Sequence, residues 1–350
     1  MEKRIKQCVG IDCGLKELVV AYGVMDENFD VTILSNLQFK NNPAGFKKLL
    51  GWSKKLNPEN GDLGYVIEAT GVYHEQVSLY LHEQSCKVSV LLPNRARAFM
   101  KTLTVKTVND KVSAQALSQM GLEKKLDAWQ PPQKVYNELR QLTRERDQLV
   151  GEQTQVKNQL HAEQSGAWPN KQSIKRMHQR IRFLSKQIEE IEKEITLMVE
   201  SDGWLKEKIK KICTIKGIGL LTAVTVIAET NGFNLIRNKK QLVSYAGLDV
   251  ITKDSGISVK SKPRISRKGN KYLRKCLHFP ALAAIRSTET MKALFKRLVS
   301  KHGIKMKAAV AVQRKLLELI YVLWKNNETF DKDYHLKKKE PALADPCELT

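Results

Sequence analysis

Between residues 174 and 198 the apolar side chains Ile174, Met177, Ile181, Leu184, Ile188, Ile191, Ile195 and Met198 recur at alternating spacings of three and four. That is an a/d seam held over about four heptads, and it demands one long helix that buries a narrow stripe. The arm before it keeps the same register through Leu139, Leu142, Arg146, Leu149, Gln153, Val156 and Leu160, with two polar positions. Gly166 and Pro169 lie between the arms and break helix. Residues 136–200 therefore read as a helical hairpin. Charged flanks on both sides of so narrow a seam predict a projecting coiled coil, a device that serves assembly.

Residues 6–93 follow a different rhythm. QCVGID and LKELVVAYGV flank a turn at Gly14, VTILSNLQF adds a third strand, and AGFKKLLGWSKKL has helical spacing. GYVIEA reads as a buried strand, HEQVSLYLHEQ as a helix, KVSVLLP as another strand, and residues 94–125 as helical. Three strands followed by alternating helices and strands predict a mixed sheet that resembles ribonuclease H. Two of its strands close on an acid, Asp12 in VGIDCG and Glu68 in YVIEATG, and a third acid, Asp110, stands in the helical segment NDKVSAQAL. Carboxylates gathered at strand ends repel unless a cation sits among them. Two Mg²⁺ ions roughly 4 Å apart would clamp a scissile phosphate there. The residue one turn after Asp110, on the same helical face, is Ser113.

Charge identifies the kind of partner. Lys and Arg number 60 against 37 Asp and Glu, a formal net charge of +23. Between Lys253 and Lys315 there are 18 basic residues and two acids, so this segment alone carries +16. A run this one-sided repels itself without a polyanion, which points to nucleic acid. Hydrophobic residues make up 42 %, which excludes wholesale disorder. No apolar run approaches the ~20 residues of a membrane span, and the N-terminus has no apolar signal core. The six Cys are scattered without a CxxC pair, which excludes a zinc ribbon or a disulfide framework and fits a reducing cytoplasm.

Within the basic part, Ile215-Lys216-Gly217-Ile218-Gly219 precedes the helical LLTAVTVIAE, and is either a plain helix-to-helix turn or one like that of a helix-hairpin-helix whose exposed N–H groups would cradle phosphate; the basic context favours the second. Further on, Ser255-Gly256-Ile257-Ser258 is followed by Lys260, Lys262, Arg264, Arg267, Lys268 and Arg274. A serine beside glycine is reachable, and cations around it would hold a phosphate for attack, but composition alone favours a basic phosphate-binding loop whose serines only hydrogen-bond. The chain thus divides into an acidic-site α/β domain (1–130), the coiled-coil hairpin (131–204), a basic, mostly helical domain (205–330) and a loose tail (331–350).

In their order GID…IEATG…ND…VSA…KGIG…YAGL…SG…ISRKGN…LR, with the connecting segments LLPNRARAF, WQPP, LRQLTRERDQLV and YAGLDV, these motifs resemble the transposases of insertion-sequence family 110. Members of that family are bridge-RNA-guided recombinases, and Piv-type DNA invertases share their layout. The likeness runs from about residue 8 to about residue 325. It implies a RuvC-like domain whose acids coordinate Mg²⁺ or Mn²⁺. Asp12, Glu68 and Asp110 match the first three acids of the family's DEDD set. It implies that Ser255 matches the nucleophile that attacks a DNA phosphate and forms a phosphoserine link, with Ser258 the competing serine. Lys216, Gly217, Gly219 and the basic residues named above are the expected nucleic-acid contacts on the strength of their charge and of the glycine turn. It also implies a structured guide RNA, and dimers that pair into tetramers on two DNA duplexes. A bacterial or archaeal cytoplasm, with association to the nucleoid when bound, follows from the same likeness. The sequence departs from the family pattern at the fourth acid, where Ser113 stands. Two other readings remain open at this point: a metal-dependent junction nuclease that uses water, and a copy that binds nucleic acid without cutting it.

Overall fold

The computed structural model describes residues 4–58, 61–103, 107, 109–234, 236–252, 254–255, 259–260 and 264–331. The chain separates into two compact units, Met1–Pro131 and Pro132–Thr350.

The first unit is built on a mixed five-stranded sheet. β1 (Arg4–Cys13), β2 (Glu17–Asp26) and β3 (Val31–Lys40) form an antiparallel meander, because only short turns separate them. At the first turn the Gly14 N–H donates to the Glu17 carbonyl at 2.9 Å. Helix α1 (Pro43–Leu56) then carries the chain across to β4 (Leu63–Glu68), and α2 (Glu75–Glu83) carries it to β5 (Lys87–Leu91). These crossovers make β4 parallel to β1 and β5 parallel to β4, so the strand order is β3-β2-β1-β4-β5. The mixed sheet expected from the sequence is what forms. Strand alternation divides the core in two. Val9, Ile11, Tyr65 and Ile67 pack with Phe46, Leu49, Val77 and Leu81 of α1 and α2 on one face. Cys8 and Val66 pack with Leu117, Met120 and Leu122 on the other. The latter three belong to α4 (Asp110–Glu123), and α3 (Pro93–Met100) precedes it; the segment predicted helical over 94–125 is two helices.

The second unit begins with two 31-residue helices, α5 (Lys134–Gln164) and α6 (Lys171–Ser201). Arg146 pairs with Glu192 at 2.6 Å and Gln153 bonds Ser185 at 2.8 Å, so the contacts run in reverse order and the helices are antiparallel. Between them Asn170 caps α6 by accepting the N–H groups of Gln172 and Ser173. Along the α6 seam Leu184, Ile191 and Ile195 are buried and the other five positions are half-buried. The end of the hairpin near Tyr136 and Val199 merges into a globular core shared with Ile209, Ile227, Leu273 and Trp324. That core is made by α7 (Gly203–Ile212), α8 (Leu220–Glu229), α9 (Lys239–Tyr245), α10 (Lys271–Cys276), α11 (His278–Ser287), α12 (Glu289–His302) and α13 (Lys305–Asn326). Four two-residue strands, β6 (Val250–Ile251), β7 (Asp254–Ser255), β8 (Val259–Lys260) and β9 (Arg264–Ile265), interrupt the helices. Among the described residues no helix is long and apolar enough to cross a membrane. Residues 332–350, most of the predicted tail, lie outside the described residues.

Candidate active site

Asp12 is the penultimate residue of β1, Glu68 closes β4 and Asp110 opens α4. The parallel register that sets Ile11 beside Ile67 brings Asp12 and Glu68 to the same end of neighbouring strands. Alternation from Gly10 and Val66 turns both toward the α4 face. Gly10 explains how the third acid joins them. A Cβ there would lie 2.1 Å from the Ala114 carbonyl oxygen and 2.3 Å from the Ser118 N, so α4 rests its backbone directly on β1. The Ser118 hydroxyl fastens the contact by donating to the Cys8 carbonyl at 2.8 Å. The first turn of α4, with Asp110 and Ser113, is thereby held beside Asp12, and Asn109 caps that turn by accepting the Val112 N–H.

The electrostatics record the crowding. The Asp12 carboxyl is lifted from 3.8 to about 6, first by burial and then by the charges of Asp110 and Glu68. The Cys13 N–H and the Ser113 hydroxyl, both donating to Asp12, pull the other way. The Thr70 hydroxyl donates to Glu68 at 3.3 Å. Asp12, Asp110, Thr70, Lys16 and Glu17 line an open cleft of about 540 Å³. The acids meet through charge and not as a closed set of ligands, because among the described residues no three His, Cys, Asp or Glu converge on one point. Their donors are carboxylate and hydroxyl oxygens, the set that suits Mg²⁺ or Mn²⁺ and not a soft metal. Among the described residues Lys16 is the one cation lining the cleft, against Asp12, Glu17 and Asp110, so negative charge is in excess and the chemistry fits such an ion.

The predicted serine belongs to a nested pair of hairpins. β6 pairs with β9, and inside that ladder Ser255 of β7 pairs with Val259 of β8. Ser255 and Lys260 are placed at the backbone; Ser258 and Lys262 lie outside the described residues. The base of this arm is rigid. The Asn270 N–H donates to the Tyr245 carbonyl, Arg267 N–H to Gly247, and Ser266 N–H to Asp249, at 2.8 to 3.1 Å. Gly269 approaches the turn so closely that a Cβ would lie 2.5 Å from both the Gly247 N and the Tyr245 carbonyl oxygen. Arg267 is held at φ 53, a left-handed conformation that a non-glycine residue keeps only under surrounding constraint.

The basic residues divide by what they do. Lys216, Arg264, Arg267 and Lys268 are exposed. The turn with Lys216 has Gly217 at φ +95, where a Cβ would meet the Pro280 carbonyl oxygen at 2.9 Å, and Gly219 at the N-cap of α8. Arg274 differs: its Nη1 donates to the carbonyls of Ala246, Gly269 and Asn270, so this guanidinium ties the loop together. Sequence reasoning missed the group beneath them. Glu229 is 3 % exposed; it accepts two bonds from Arg144 of α5 at 2.6 and 2.8 Å and a third from the Asn270 amide at 2.6 Å. Arg144 also stacks over the Tyr272 ring at 4.6 Å, and Tyr245 donates to the Glu229 carbonyl. The only sequence signal for this network was an acid ending the apolar run of α8.

Comparison with known proteins fits this organisation. Residues 9–169 match the DEDD model of the IS110 group, described as Transposase, and residues 209–296 match the model of the Transposase IS116/IS110/IS902 family. The pilin gene-inverting protein of Moraxella bovis is 27 % identical over 331 residues, 92 % of this chain and 100 % of that one. The transposase for insertion sequence element IS1111A of Coxiella burnetii is 29 % identical over 128 residues, 35 % of each chain. Among solved structures, Thermus thermophilus RuvC aligns with 35 % of this chain and 99 % of its own, at 11 % identity and a TM-score of 0.28. With two models of one group matched in order along its length, this chain belongs to the IS110 family of transposases and is a transposase or site-specific recombinase.

Proposed function

We propose that the chain breaks and rejoins DNA strands by covalent catalysis at Ser255, and that the acidic cluster of the first unit binds the divalent metal the reaction uses. The observation that carries this reading is the gathering of Asp12, Glu68 and Asp110 on one face of the sheet, where their mutual repulsion calls for a cation. Asp12, Glu68 and Asp110 would hold Mg²⁺ or Mn²⁺, which supplies Lewis-acid stabilisation of charge developing on a phosphate. The Ser255 oxygen attacks phosphorus, a serine O–P bond forms, and the bond to one sugar oxygen breaks. The freed sugar hydroxyl takes up a proton. A second strand's hydroxyl then attacks the phosphoserine and restores the serine, so the exchange needs no external energy source. Lys216, Arg264, Arg267 and Lys268, with Lys260 and Lys262, hold the DNA backbone, and the turn between α7 and α8 acts as a helix-hairpin-helix. In this reading a structured RNA selects the DNA partners, and the α5–α6 hairpin works as a coiled coil that joins protomers into dimers and tetramers.

Ser113 favours one further reading. It donates a hydroxyl to Asp12 where the family carries a fourth acid, so this chain would bind nucleic acid without cutting it. A recombination assay with the cognate element ends, flanking RNA and Mg²⁺ separates the readings. Wild type is expected to recombine and to leave a trapped protein–DNA adduct, while Ser255→Ala gives neither. Cleavage without an adduct would replace the serine with water. Silence in wild type with activity in Ser113→Asp would show that the missing acid is limiting.

A further inference from the structure

The two halves of α6 carry opposite charge. From Lys171 to Ile188 there are six Lys or Arg, together with His178, and no acid; from Glu189 to Ser201 there are five acids and one Lys. A solvated helix face normally mixes its signs, since like charges four residues apart destabilise it. Here Lys171, Lys175, His178 and Arg182 follow the spacing i, i+4, i+7, i+11 and form a single stripe. With Ile174 and Gln179 they line a cleft of about 470 Å³. None of the four pairs with an acid among the described residues. The nearby acids are engaged: Glu163 accepts the Asn170 N–H and Glu152 accepts the Gln148 amide. Three residues ahead of the stripe, in the loop joining the helices, Trp168 is 93 % exposed, the most open large apolar side chain among those described.

We propose that this outer end of the hairpin is a separate binding site for an unpaired nucleic-acid strand, with phosphates along Lys171, Lys175 and Arg182 and a base stacked on Trp168. The inference rests on the reading of the chain as a nucleic-acid enzyme and adds a site that lies outside both the acidic cluster and the serine arm. The stripe spans eleven residues at about 1.5 Å each, roughly 16 Å, long enough to follow a few successive phosphates of one strand. The bare indole chooses between duplex and single strand. A base inside a duplex has no free face, whereas a base in a loop or single strand offers one to an aromatic ring.

The test uses the full chain and three labelled probes: a stem–loop RNA, a single-stranded DNA of the loop sequence, and a plain duplex. Trp168→Ala is expected to weaken binding of an unpaired probe by about 5- to 150-fold, and Trp168→Phe to restore most of it. Lys171→Gln/Lys175→Gln/Arg182→Gln is expected to flatten the salt dependence for that probe by about 2 in log–log slope. Duplex affinity and melting temperature should stay at wild-type values in each variant. Loss confined to RNA or to DNA supports the site and assigns its strand. Unchanged affinity and slope for the unpaired probes, or a loss that tracks only a change of oligomeric state in sedimentation, overturns it. If wild type binds none of the probes, the parent reading falls along with the site; if wild type binds and the variants match it, only the site falls.

Discussion

At Asp12 three effects meet: burial, the neighbouring charges of Asp110 and Glu68, and two donors that oppose them. Their balance leaves the folded-state carboxyl near 6, above its unfolded value of 3.8. A carboxyl raised by folding binds its proton more tightly in the native state. Its contribution to stability is complete below the unfolded value and is lost as pH rises through the window between the two. In metal-free protein the melting temperature of wild type relative to Asp12→Asn should therefore fall between pH 4 and pH 7. Mg²⁺ should reverse this, raising the melting temperature of wild type at pH 7.5, far less at pH 5, and not at all in Asp12→Asn. Thermal melts with Mg²⁺ and with a chelator check both statements. Asp12 and Glu68 were legible in the sequence because each closes an apolar run, and Asp110 because it stands at the start of a helical segment. The hydrogen bond from Ser113 to Asp12 was not, since spacing along a helix gives the face of a residue and not its partner on another strand. Glu229 was hidden for a related reason. An acid after an apolar helix reads as a helix end, and only the fold reveals that Arg144 and Asn270 close over it.

Among the elements, α4 and α5 show how backbone contact and buried charge position a site. α4 sits where it does because β1 has no side chain at Gly10, and that contact sets Asp110 beside Asp12. The GID motif therefore carries two messages, an acid and a space for a helix, and only the first can be read without the structure. α5 is fastened by Arg144. Glu229 is buried but Arg144 is 42 % exposed, so removing Arg144 costs less than the about 3 to 5 kcal/mol of a fully buried pair, because solvent reaches one partner and Asn270 still bonds the other. Arg144→Ala should destabilise the second unit by about 2 kcal/mol, read by denaturant unfolding, whereas the exposed Lys186 to Glu190 pair should tolerate Lys186→Ala with almost no change. The heptad seam made the α5–α6 hairpin predictable, breakers included. Where the seam stops being a two-helix contact was not predictable, because Leu139, Ile191 and Ile195 serve the hairpin and the globular core with the same side chains.

For the molecule as a whole, the excess of positive charge is concentrated in the second unit, and the exposed Lys216, Arg264, Arg267 and Lys268 carry its most available share. If each neutralises one phosphate of duplex DNA, replacing all four by Gln should reduce the steepness of the log affinity against log salt plot by about 3 to 4. Titrations at several salt concentrations measure this directly. Order of elements, mixed sheet and basic unit were all readable from periodicity and charge. The nested two-residue strands around Ser255 were not, because so short a ladder has no alternation to detect. The Glu229 contact also has a mechanical meaning. About twenty residues of α5 extend past Arg144, an arm of roughly 30 Å. On the other side of Glu229, Asn270 is the root of the segment that bears Ser255. Glu229 is thus a keystone: one buried carboxylate against which both the long helix α5 and the root of the segment that bears Ser255 are set.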